Sequence, residues 1–112
     1  MLEKRHHART KIYRTVVLIS TPTKGRIEIQ CVAHALDISP KGMMIETSGP
    51  IWSEFISVRT LTNDGDTIYI DGRIIYSMPH SPGLYRLGIE FTGEAAEIET
   101  FVAECRVDNV QS

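Results

Sequence analysis

Apolar and polar residues alternate with a period of two along most of this chain, and the period lengthens to three and four only near the end. Period two marks strands that bury one face. Tyr13 to Ser20, rich in Val, Ile and Thr, is predicted as a first strand, and Thr21-Pro22-Thr23-Lys24-Gly25 as a turn. Ile27, Ile29, Cys31, Ala33 and Ala35 then alternate with Arg26, Glu28, Gln30 and His34. The parity slips after Ala35, where Leu36 and Ile38 become the apolar pair and Asp37 and Ser39 the polar one. Such a slip predicts a bulge or bend near Ala35. It puts Asp37 and Ser39 on one face and anchors Leu36 and Ile38 on the other.

Gly42 opens a short strand, Met43 to Glu46, which Ser48-Gly49-Pro50 ends. Phe55 to Leu61 is a further strand, and Asn63-Asp64-Gly65-Asp66 is a tight hairpin signal. Thr67 to Tyr76 is a strand with a bulge or kink at Asp71-Gly72. Met78-Pro79-His80-Ser81-Pro82-Gly83 reads as a loop and Leu84 to Phe91 as the last strand. From Glu94 onward Ala95, Ile98, Phe101, Val102 and Cys105 trace one face of an amphipathic helix, capped at Thr92 or Gly93. The predicted fold is mainly β: a six-stranded antiparallel barrel, split or Greek-key-like, with a C-terminal helix on one side or plugging an end. The domain reading is a flexible basic arm at 1–12, the barrel at 13–92, and the helix and tail at 93–112.

At 112 residues the chain holds one core, and 42% hydrophobic with 23% charged residues is ordinary globular composition. The net charge of −2 hides an asymmetry. Lys4, Arg5, Arg9, Lys11 and Arg14 make the first residues basic, while Glu94, Glu97, Glu99, Glu104 and Asp108 make the last ones acidic. A basic head on a neutral body predicts a localised anion site and not a nucleic-acid groove. No apolar run approaches the roughly 20 residues of a membrane span. There is no apolar signal core, so a cytoplasmic location is expected. Cys31 and Cys105 suit core thiols in a reducing compartment. They show no metal-ligand spacing with His6, His7, His34 and His80. Trp52 is expected in the core or an interface.

Two separate runs carry the chemistry. Arg5-His6-His7-Ala8-Arg9 supplies two guanidiniums, planar forks for phosphates and the acceptor edge of guanine. Asp37-Ile38-Ser39-Pro40-Lys41-Gly42 supplies a carboxylate, a hydroxyl and a bare backbone position, and is also good turn chemistry. No nucleophile elbow, paired carboxylates or phosphate-binding glycine loop is present, so the chain reads as a binding module and not an enzyme.

With Arg5-x-x-x-Arg9 and Asp37-x-Ser39-x-x-Gly42 in this order, and Gly83-Leu84-Tyr85-Arg86-Leu87-Gly88-Ile89-Glu90-Phe91 as closing strand, the chain from Lys4 to Phe91 resembles the PilZ domain, a bacterial receptor for cyclic di-GMP. The resemblance implies that Arg5 and Arg9 grip guanine edges and phosphates. It implies that Asp37 accepts from a guanine N1–H or exocyclic amine, and that Ser39 bonds a base or phosphate oxygen. Gly42 would permit close backbone approach or positive φ, Lys4 would add phosphate attraction, and Tyr76 falls where some members set an aromatic against a base. Cyclic di-GMP is then the ligand, with no cofactor besides. The arm would order over the nucleotide and pass the signal to an unidentified downstream protein, as in motility or biofilm regulation, from a monomer or weak homodimer. Two alternatives stay open: a nucleotide-independent adaptor of the same fold, and a small barrel binding single-stranded nucleic acid. Scarce aromatics and an acidic body weigh against the latter.

Overall fold

The structure, a computed structural model, describes residues 9–20 and 29–110, without the side chains of 107–110. Its strands are β1 (Thr10–Ser20), β2 (Gln30–Ile38), β3 (Gly42–Thr47), β4 (Phe55–Leu61), β5 (Thr67–Ser81) and β6 (Leu84–Phe91), followed by the helix α1 (Ala95–Val110). The strands close into a barrel in the order β1-β2-β3-β6-β5-β4, every pairing antiparallel. The β3–β4 connection passes across the β5–β6 hairpin, the Greek-key feature that the spacing of strands predicts.

Antiparallel pairing sorts the connections between two ends. The start of β1, the β2–β3 turn, the β4–β5 turn and the end of β6 share one end, and α1 follows β6 there. Phe101, Val102 and Cys105 of α1 are buried with Ile12, Ile38, Ile70 and Phe91, so the helix closes that end of the core. Phe101 meets Phe91 edge to face at 6.2 Å, a geometry favoured by the ring quadrupoles. Inside the barrel Val16, Leu18, Ile45, Ile56, Val58, Leu87 and Ile89 come from alternate strand positions, which is why period two was visible.

Several local expectations are corrected. β1 begins at Thr10, ahead of Tyr13. The bulge near Ala35 is present: Ala35 pairs Ile45 but Asp37 pairs Met44, leaving Leu36 as the extra residue. No register shift occurs at Asp71-Gly72. It falls instead between Ile74 and Tyr76. Gly72 is there because a Cβ would meet the Ile89 Cγ2 at 2.6 Å. Met78 to Ser81 is strand, not loop, and only Pro82-Gly83 turns. Gly83 takes a φ of +80°, open to glycine at no steric cost, and proline before it suits a type II turn. The helix is capped by Glu94, not Thr92 or Gly93. Its carbonyl accepts from the Ile98 N–H at 2.9 Å, and its own N–H donates to Glu97 Oε1 at 3.3 Å, half of a capping box. Ala95 is exposed at the helix start, on the side of Ile98 and Val102, and Trp52, 89% exposed, is not a core residue.

Candidate functional site

The bulge at Leu36 decides where the second motif points. Ala35 and Ile38 face inward at 0% exposure, and the extra residue between them turns Asp37 onto the outer surface. Arg9 stands just before β1, whose Lys11 pairs with Asp37. Its guanidinium Nη1 donates to Asp37 Oδ1 at 2.5 Å. One residue of each motif thus meets across two strands, although 28 positions separate them. The Arg9 side chain stays 57% exposed, and an ion pair this open to water stabilises the fold by only about 0–1 kcal/mol. Such a contact is easily exchanged for another partner. Lys4 and Arg5 lie outside the described residues.

Ser39 and Gly42 shape the turn between β2 and β3. The Ser39 N–H donates to the Gly42 carbonyl at 2.9 Å, and the Lys41 N–H donates to Ser39 Oγ at 3.2 Å. Ser39 is 2% exposed. It does not share Asp37's open face, because its hydroxyl is folded into the turn it closes. Gly42 serves close approach and not positive φ. A Cβ there would collide with the Ile89 carbonyl oxygen, so only glycine lets β3 lie this close to β6.

Cross-strand pairing carries the site around the barrel. Asp37 opposes Met44, Met44 opposes Gly88, and Gly88 opposes Tyr76. Residues directly opposite in antiparallel strands share a face, so Lys11, Asp37, Met44 and Tyr76 form one outer row. Three strand spacings put Tyr76 about 14 Å from Asp37 along the surface. The Tyr76 ring lies over Gly88, where a Cβ would collide with the ring's Cε2. Lys11, Met44 and Gly88 were not singled out from sequence. The available signal was Gly88 itself, since glycine inside a strand marks close approach.

Beside the turn, Pro40 and the α1 residues Ile98, Val102 and Arg106 line an open cleft of about 450 Å³. No group of three or more His, Cys, Asp or Glu that could hold a metal ion occurs among the described residues. No helix among them is long and apolar enough to cross a membrane.

The family model described as the PilZ domain matches residues 3–104. The chain belongs to the PilZ family. That span takes in both motifs, the whole barrel and most of the helix. Among solved structures, the PilZ domain of CeSA from a cellulose-synthesizing bacterium superposes with a TM-score of 0.62 at 18% identity, covering 86% of this chain and 95% of that one. The Bacillus subtilis inhibitor of motility MotI/DgrA gives 0.66 at 13% identity, over 98% of this chain and 53% of that one. MrkH of K. pneumonia in its apo state gives 0.63 at 16% identity, over 99% and 55%. This PilZ chain therefore spans about half the length of the latter two. Identities this low speak for the shared fold alone. Comparison with curated proteins returned no match. PilZ domains are receptor domains for cyclic di-GMP rather than enzymes.

Proposed function

We propose that this protein is a cyclic di-GMP receptor whose basic N-terminal arm, barrel turn and outer sheet face form one nucleotide site. The observation that carries this reading is the Arg9–Asp37 contact. One described residue of each motif meets the other there, which supports a common site. In the bound state the pair is exchanged for the nucleotide. Arg9 turns its fork to a phosphate or to guanine O6 and N7, and Asp37 accepts from N1–H and the exocyclic amine. Adenine carries no N1–H, so the carboxylate selects guanine. A good bidentate arginine contact contributes about 1–3 kcal/mol. A stacked base contributes about 1–3 kcal/mol more. Two arginines, one carboxylate and stacking therefore reach the roughly −8 kcal/mol of a micromolar complex.

Arg5 and Lys4 bring further positive charge along the same arm. Ser39 holds the turn that presents Asp37, and its hydroxyl meets a base or phosphate oxygen when that turn opens toward the ligand. Gly42 keeps β3 close to β6, and Tyr76 offers a ring on the far side of the row. Binding fixes the arm across the sheet, and the changed surface is read by a downstream protein, in control of motility or biofilm formation within the cytoplasm. The experiment is calorimetric titration of the whole chain with cyclic di-GMP and cyclic di-AMP. Heat from the guanine dinucleotide alone, lost in Arg9→Ala and in Asp37→Ala, is expected. No heat from wild type at high micromolar ligand refutes the proposal.

A further inference from the structure

On the side of Asp37 away from Tyr76 there is a second aromatic step. The Tyr13 ring stacks on the His34 imidazole with centroids 4.8 Å apart and planes within 11°. Tyr13 is 71% exposed, so the ring face turned from His34 is open. Its setting is fixed by its neighbour. Arg14 takes the inward position at 6% exposure, its Nε donating to Thr60 Oγ1 at 3.2 Å and its Nη2 to the Leu61 carbonyl at 2.8 Å. The β1–β2 register shifts between Lys11 and Arg14, and with Arg14 pinned inward Tyr13 is left outward beside His34. His34 and Asp37 are successive outward positions of β2 across the Leu36 bulge, about 10 Å apart along the strand. The held ring, backed by a second ring, stands one nucleotide's length from the Arg9–Asp37 pair.

From this we infer that Tyr13 is a base platform, and that one guanine of cyclic di-GMP stacks on its open face while His34 supports it from behind. This rests on the receptor reading above and deepens it: the ligand lies across β1 and β2 as well as toward Tyr76. An exposed tyrosine that merely covers His34 would contribute nothing to binding. A stacking one contributes a base's worth of contact to binding, beyond the small share that its stack on His34 gives the fold.

The test is titration of wild type, Tyr13→Ala, Tyr13→Phe and Asp37→Ala with cyclic di-GMP, with thermal unfolding of each. Tyr13→Ala is expected to bind roughly tenfold more weakly while still unfolding cooperatively, its Tm lowered only by the few degrees that loss of one exposed ring stack costs, and Tyr13→Phe within about twofold of wild type, since both rings present a π face. Ring protons of Tyr13 should also shift in the NMR spectrum on ligand addition, as they lie under a purine. Wild-type affinity in Tyr13→Ala, or unmoved Tyr13 ring signals at saturation, overturns the platform while the receptor reading stands. Absence of binding by wild type overturns both.

Discussion

At Gly42 one hydrogen atom stands where any side chain would meet the Ile89 carbonyl oxygen. That oxygen belongs to the β3–β6 ladder and cannot swing aside as a side chain can. Gly42→Ala must therefore push apart the paired strands β3 and β6 beside the motif turn. A loss of about 1–3 kcal/mol is expected, the ordinary cost of forcing atoms into a packed site, read as a lower midpoint in urea unfolding. Gly49 has nothing within 4 Å of a built Cβ and no positive φ, so Gly49→Ala should stay within about 0.5 kcal/mol of wild type in the same experiment. Cys31 offers a separate test at this scale. Partial burial raises its thiol above the ordinary value, because the thiolate loses hydration. The folded chain then holds a proton that the unfolded chain gives up. This contribution to stability is complete below the unfolded thiol's pKa of about 8.5 and fades as pH rises through the higher folded value. Cys31→Ala should flatten the part of the stability profile above that pH. Alkylation of wild-type Cys31 at pH 8 should run slower than in the urea-unfolded chain.

Among the elements, α1 joins fold and site, since its buried face closes the barrel end at which the motif turn and Arg9 stand. Phe101 carries most of that face, at 1% exposure and in edge contact with Phe91. Phe101→Ala should cost about 3–5 kcal/mol, as for other buried aromatics, and circular dichroism should show helix signal lost at lower urea than strand signal. The helix was legible because its period differs from everything before it. Ala95 shares the side of Ile98 and Val102 but stays exposed, because the helix starts only there. The bulge at Leu36 was legible because a half-buried strand displays each change of parity. The shift near Ile75 left a weaker mark, two adjacent isoleucines with no polar residue between them, and the Asp71-Gly72 pair drew the expectation to the wrong place. The end of β5 was misread for a physical reason as well. Beyond Arg73, which pairs Phe55, it has no β4 partner in the ladder and pairs only with β6. A strand edge of that kind accepts Pro79, which a strand paired on both sides would not.

Across the whole molecule, sequence order named the chemistry and barrel closure placed it. Nothing local in the chain says that Arg9 and Asp37 meet; that follows from β1 pairing with β2 in the register Lys11 to Asp37. Ser39 shows the reverse: a polar residue next to a bulge reads as exposed, but the turn's own hydrogen bonds bury it. A nucleotide held between arm and barrel ties together the N-terminus, the β2–β3 turn and, through that turn, the barrel end closed by α1. Because a ligand of the folded state alone stabilises it by mass action, cyclic di-GMP at one hundred times its dissociation constant should add about 2.7 kcal/mol. For a domain of this size that is a rise of roughly 10 °C in Tm. Differential scanning fluorimetry over a ligand series separates this from nonspecific salt effects, since the rise must grow with the logarithm of ligand concentration and vanish in Asp37→Ala. The Asp37→Ala chain without ligand should melt close to wild type, because the ion pair it removes is exposed and worth little. A large drop in the Tm of ligand-free Asp37→Ala would instead make the Arg9–Asp37 contact a structural clasp, and the site would then have to be sought elsewhere on the barrel.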